Sequence, residues 1–130
     1  DTFDMYEGSA RIVVGTDAWK RLYEHRISEI ARFAKSKRVA VLWLGVPAMN
    51  RVDIQPHVPT LNRLFSTAVK RNGGVFLATA NILGNSENQF IATKRIAGRQ
   101  VALRAEDGVH FTPDGWYLVA EAVLGKLIVR

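Results

Sequence analysis

Cysteine is absent from the 130 residues, which excludes both a disulfide framework and a thiolate metal site. The compartment stays open on that ground, because secreted bacterial proteins can also lack cysteine. No apolar run approaches the roughly 20 residues that a membrane-spanning helix requires. No leader-like stretch follows Asp1, so any such segment would lie upstream of it. Internal repeats, low-complexity tracts and linkers are missing too, and residues 1–130 read as a single domain, present in part. The three histidines, His25, His57 and His110, are not spaced as metal ligands, and no pair of carboxylates accompanies them. No metal or organic cofactor is expected.

Acidic residues are in deficit: 12 Asp and Glu face 18 Lys and Arg, for a net charge of +6. Nucleic-acid binding calls for clustered cations with aromatics interleaved for stacking. Here Lys20, Arg21, Arg26, Lys35, Lys37, Arg38, Lys70, Arg71, Lys94, Arg95 and Arg99 are spread along the chain. They read first as a solvated basic surface and second as an attraction to an anionic polymer or membrane surface. No nucleic-acid partner is expected.

What is present is a core. Apolar residues make up 48% of the chain, enough for one compact α/β domain. Residues 1–15 read as a loop with a short extended piece at 11–14. Thr16 offers an N-cap, and Trp19, Leu22, Tyr23, Ile27, Ile30 and Ala34 then recur at helical spacing. The run Val39–Leu44, closed by Gly45 and Pro47, is apolar without alternation, the pattern of a strand buried on both faces. A second helix, from Pro56 or Pro59 to Arg71, stops at Asn72-Gly73-Gly74, where no phosphate-cradle pattern follows. Residues 75–78 form a second buried strand. Adjacent parallel strands joined by that helix are the expected arrangement. Residues 90–93 and 100–103 pair as a hairpin around Ala97-Gly98, and Thr112-Pro113 opens a final helix with Leu118, Ala122, Val123 and Leu127 on its apolar face. Two parallel strands are few for a sheet that needs both faces covered. One side of 39–44 is therefore expected to be covered by an N-terminal remainder of the domain, another copy of the chain, or a strand hidden in 1–15.

The sharpest chemical feature is Asp107-Gly108-Val109-His110, directly ahead of that capped helix. An Asp three residues before a His can hold one imidazole nitrogen and leave the other free to take a proton from a nucleophile. The second nitrogen is expected to face a cleft. By spacing alone, a helix cap with an exposed histidine is the plainer reading. His25 reads as solvated surface, His57 as surface or substrate loop, and Arg104 as an ordinary surface arginine or a contact to an anionic substrate.

The stretch Asp107-Gly108-Val109-His110-Phe111-Thr112-Pro113-Asp114-Gly115-Trp116 resembles the last sequence block of the SGNH (GDSL-like) hydrolases. The stretch from Val41 through Gly45, Pro47 and Met49 to Arg51 is similar to a strand and loop of an uncharacterised bacterial branch of that superfamily, and Trp19, Tyr23 and Arg26 match that branch in type and spacing. The resemblance spans residues 16–127. It implies a three-layer α/β/α flavodoxin-like fold with a parallel sheet, His110 as general base, Asp107 orienting it, and hydrolysis or transfer of an acyl ester. The implied substrate is an O-acylated carbohydrate of the cell envelope, and the implied compartment periplasmic or otherwise extracytoplasmic.

The family's Gly-Asp-Ser and Gly-x-Asn-Asp blocks have no counterpart here. Ser9, Ser28, Ser36, Ser66 and Ser86 all lack the strand-to-helix setting of a nucleophile. Asp1 would be the last residue of the second block, which would place the start of the chain just after a third strand. A non-catalytic module that binds an anionic polymer or a partner protein is the alternative. The purified 130-residue chain is accordingly expected to hydrolyse no simple aryl acetate above background. Turnover abolished by His110→Ala would mean that one of the five serines is the nucleophile after all.

Overall fold

The computed structural model describes residues 3–128, so Asp1 lies outside them. Thr16 caps the first helix as expected. Its backbone is extended and its hydroxyl oxygen accepts the Trp19 N–H at 3.3 Å, satisfying one of the donors a helix start leaves open. Helix α1 covers Asp17–Ser36. It ends where Arg38 turns left-handed (φ 58°) and the Val39 N–H reaches back to the Ala34 carbonyl at 2.9 Å.

Strand β3 (Leu42–Leu44), helix α2 (Val58–Arg71) and strand β4 (Val75–Leu77) form the parallel unit that the sequence pattern implied. The strands pair in register, Leu42 with Val75, Trp43 with Phe76 and Leu44 with Leu77. Gly73, at φ 83°, closes α2, and the Gly74 N–H bonds the Val69 carbonyl at 2.9 Å. The core lies mainly between α1 and α2: Trp19 and Ile27 pack on Leu61, Phe65, Ala68 and Val69. The protein is thus a mixed α/β fold with a parallel strand pair.

Three departures have local causes. The apolar run 39–44 yields a strand of only three residues, all half-buried, and Val39 is exposed. Burial on both faces needs a packed layer on each side of the sheet, and among the described residues β3 also has one strand partner alone, β4. The N-terminal segment does not supply the other neighbour, because it folds on itself. Strand β1 (Met5–Glu7) pairs antiparallel with β2 (Ala10–Ile12), and Met5 and Ile12 pack against the core. The later hairpin has its turn at Ala97-Gly98, both at positive φ. That two-residue turn fixes the register, so its strands are β5 (Thr93–Ile96) and β6 (Arg99–Ala102), and the first begins three residues later than the apolar pattern suggested.

Helix α3 (Thr79–Leu83) carries no periodic signal in its five residues; Gly84 in the left-handed region closes it. Helix α4 runs Pro113–Ile128 behind its expected cap, with the Thr112 hydroxyl oxygen accepting the Gly115 N–H at 3.0 Å. Gly115 and Val119 are its buried positions, whereas Leu127 faces solvent with Trp116, Tyr117 and Leu124. Leu118, Ala122 and Val123 are half-buried on that same side, as expected, and only Leu127 departs from the expected face. A side chain on Gly115 would collide with the Leu103 carbonyl and with Phe111, so α4 lies directly against the segment that precedes it.

Asn62, buried in α2, sets where β3 ends. Its Oδ1 accepts the Val46 N–H at 2.7 Å and its Nδ2 donates to the Val46 carbonyl at 2.9 Å. Asn62→Leu would leave both backbone groups unmatched, at a cost of about 2 kcal/mol. A urea unfolding midpoint equal to that of the native chain would contradict this role.

Candidate functional site

Two loops meet beyond the C-terminal end of β3. In the first, the Gly45 N–H bonds the Leu77 carbonyl at 2.9 Å, the Gly45 carbonyl accepts the Thr79 hydroxyl, and Asn62 holds Val46. The chain then turns through Met49, whose N–H donates to Gln55 Oε1 at 2.7 Å, while Gln55 Nε2 donates to the Glu87 carbonyl at 2.9 Å. One long side chain thereby spans two separate backbone segments.

The second loop, residues 105–110, follows β6. Its ends close through the Ala105 N–H to the His110 carbonyl at 2.8 Å, and its turn through the Gly108 N–H to the Ala105 carbonyl at 3.0 Å. Arg104 and Phe111 form an antiparallel bridge at its base. The loops touch where the Asn50 N–H donates to the Gly108 carbonyl at 3.0 Å. Gly108 is required there twice over: its φ is +68°, and a Cβ would lie 2.7 Å from the Asn50 Cβ. The two stretches on which the family resemblance rests, far apart in sequence, are thus in contact.

Asp107 and His110 are joined as the spacing suggested. His110 Nδ1 lies 2.5 Å from Asp107 Oδ2, and Asp107 Oδ1 accepts the Val109 and His110 N–H groups at 2.8 and 3.0 Å. The bond to His110, followed by these two backbone donors, holds the Asp107 carboxyl well below the usual carboxylate range. An ionised carboxylate can only accept, so Nδ1 must carry the proton of this bond. When the ring is neutral, Nε2 then presents a lone pair, the state a general base requires.

The second expectation for His110 is not met. Its side chain is 77% exposed, so most of the ring lies in solvent rather than in a cleft. Among the described residues no serine hydroxyl bonds it. A cleft of about 440 Å³ does open beside the loop contact, lined by residues of the 49–56 segment and by Asn88. Arg51 at its rim is tied to Asp53, with contacts of 2.6 and 2.9 Å.

The remaining candidates separate. His25 is a surface residue 3.4 Å from Glu29, as expected. His57 is not a surface side chain: half-buried, its ring sits 6.0 Å from that of Trp19 and close against Gly15. Arg104 is no surface arginine either, being only 5% exposed. The one hint of this in the sequence is its place within the apolar stretch Val101-Ala102-Leu103-Arg104-Ala105. The described residues hold no cluster of His, Asp and Glu able to bind a metal.

Asp107 is expected to titrate below the ordinary value of about 3.9. A folded value lower than the unfolded one means that its stabilising effect is complete above the unfolded value. That effect is lost as the pH falls through the folded value. The Asp107 carboxyl carbon, followed by NMR from neutral pH into strong acid, reads this directly, and a midpoint at or above the ordinary value would show that the carboxylate is not held. No curated protein matches the chain. The family described as protein of unknown function, DUF459, matches residues 1–126, nearly the whole length, and the chain belongs to that family.

Proposed function

We propose that the chain carries the acid and the base of an SGNH-type serine ester hydrolase or acyltransferase, in a domain of three-layer flavodoxin-like architecture. The observation that carries this is the Asp107–His110 bond of 2.5 Å, on a carboxylate already fixed by two backbone N–H groups. Two further features support it. The loop that receives the pair leaves the C-terminal end of a parallel strand, the place where open α/β sheets bind ligands. The β3–α2–β4 unit is also the repeating element of such a sheet.

In this mechanism His110 Nε2 takes the proton of a serine hydroxyl as that oxygen attacks the ester carbonyl. Asp107 keeps the ring in the required tautomer and stabilises the imidazolium that forms. Collapse of the tetrahedral intermediate expels the alcohol, which receives the proton from His110, and leaves an acyl-serine. Water or a second alcohol, activated by the same nitrogen, then releases the acyl group. The chemistry needs no metal or organic cofactor. The serine comes from outside the five serines of this chain, from an N-terminal remainder of the domain. An O-acylated carbohydrate of the cell envelope, met outside the cytoplasm, is the substrate class we favour.

A second reading has one observation in its favour: the His110 side chain is 77% exposed, with no serine bonded to it among the described residues. On that reading the basic chain, at net charge +6, is a non-catalytic module for an anionic polymer or a partner protein. A fluorophosphonate probe separates the two. In the full-length natural polypeptide we expect labelling of a serine outside these residues, lost in His110→Ala, with Asp107→Asn lowering turnover on the order of 10⁴-fold. Labelling indifferent to His110→Ala would return the pair to the role of a helix cap.

A further inference from the structure

Arg104 is buried at 5% exposure, yet among the described residues no carboxylate forms an ion pair with it, and Asp107 acts on its charge only from a distance. Burying a guanidinium is costly unless its donors and its charge are matched. Here the match comes from backbone and from aromatic faces. Nη2 donates to the Val109 carbonyl at 2.5 Å and to the Gly108 carbonyl at 3.4 Å. The guanidinium carbon stands 4.6 Å from the centre of the Phe111 ring and 5.4 Å from that of Phe90. The match is incomplete, since Nε is buried without a partner among the described residues. A side chain kept at such expense points to a geometric role, and the place identifies it. The two carbonyls belong to Gly108 and Val109, the residues between Asp107 and His110.

We infer that Arg104 is the positioning residue of the Asp107–His110 pair, acting through the backbone that joins them. This rests on the proposed role of His110 as base. Backbone bonds tie the two ends of the loop, Ala105 to His110, and form its turn. Arg104 fixes the part in between. The peptide linking Val109 to His110 is held from both sides: its N–H, on His110, donates to Asp107 Oδ1, and its carbonyl, on Val109, accepts from Arg104. Without the guanidinium that carbonyl loses its charged donor, the peptide can rotate, and Asp107 loses a donor that sets its orientation toward Nδ1. Lysine cannot replace it fully, having the charge without the planar fork or the stacking surface.

The test reads the imidazole tautomer directly, by long-range proton–nitrogen NMR on the neutral rings, with His25 and His57 as internal references. In the native chain His110 should be mainly the Nδ1–H form. In Arg104→Met that preference should be lost, with the two reference histidines unchanged, and Arg104→Lys should restore part of it. A folded Arg104→Met with native His110 signals would overturn the inference. If Arg104→Met does not fold, Arg104→Lys decides alone: a partial loss of the Nδ1–H form supports the role and a fully native signal refutes it. A native His110 that is already mainly Nε2–H would instead sink the acid–base pair, and Arg104's role with it.

Discussion

Where β3 ends at Leu44, the backbone of Val46 has no strand beside it, and the Asn62 amide supplies both bonds that such a neighbour would make. Much of what lies beyond depends on that substitution of side chain for strand. With Val46 fixed, the segment through Met49 and Asn50 leaves the strand in one direction, Gln55 secures its far side, and Asn50 meets Gly108. A buried amide satisfied at both ends is a strong constraint, because every alternative leaves polar groups dry and unpaired. The position of Asp107 and His110 relative to the parallel strands follows from it.

Within the second loop the polar groups are almost fully committed. Asp107 spends one oxygen on two backbone donors and the other on His110, so its charge is fixed by neighbours only two and three residues away. That is a local device, formed within a single turn and largely exposed to water. Arg104 is the opposite case, a cation carried into an apolar layer between Phe90 and Phe111. The two meet in the same short peptide. A solvent-facing acid–base pair is thereby anchored from beneath by a residue that solvent scarcely reaches.

The apolar surface is distributed unevenly. α1 and α2 bury their stripes against one another, while β3 keeps one edge unpaired among the described residues and α4 shows Trp116, Tyr117, Leu124 and Leu127 to solvent. A parallel sheet ordinarily has helices on both faces and strands on both sides, and exposed apolar patches of this kind mark surfaces suited to contact. The basic side chains show no comparable concentration. Several are spent on exposed pairs, Lys20 with Asp17 and Arg71 with Glu24, which contribute little to stability.

The sequence by itself determined whatever depends on near neighbours. The Thr16 and Thr112 caps, the stop at Gly73-Gly74, the turn at Ala97-Gly98 and the reach of Asp107 to His110 all involve residues within a few positions of one another, so spacing and residue type suffice. The parallel pairing of β3 with β4 was legible for a related reason: an apolar run, a helix and a second apolar run admit few arrangements. Tertiary structure decided the rest. It left β3 as three half-buried residues with one strand partner among the described residues, folded the N-terminal segment on itself, and turned Leu127 of α4 out to solvent. It also drew His57 against Trp19 and sank Arg104 between two aromatic rings. Burial of a side chain is set by what packs on it from distant parts of the chain, and a one-dimensional pattern carries that information only where the packing partner repeats with the same period.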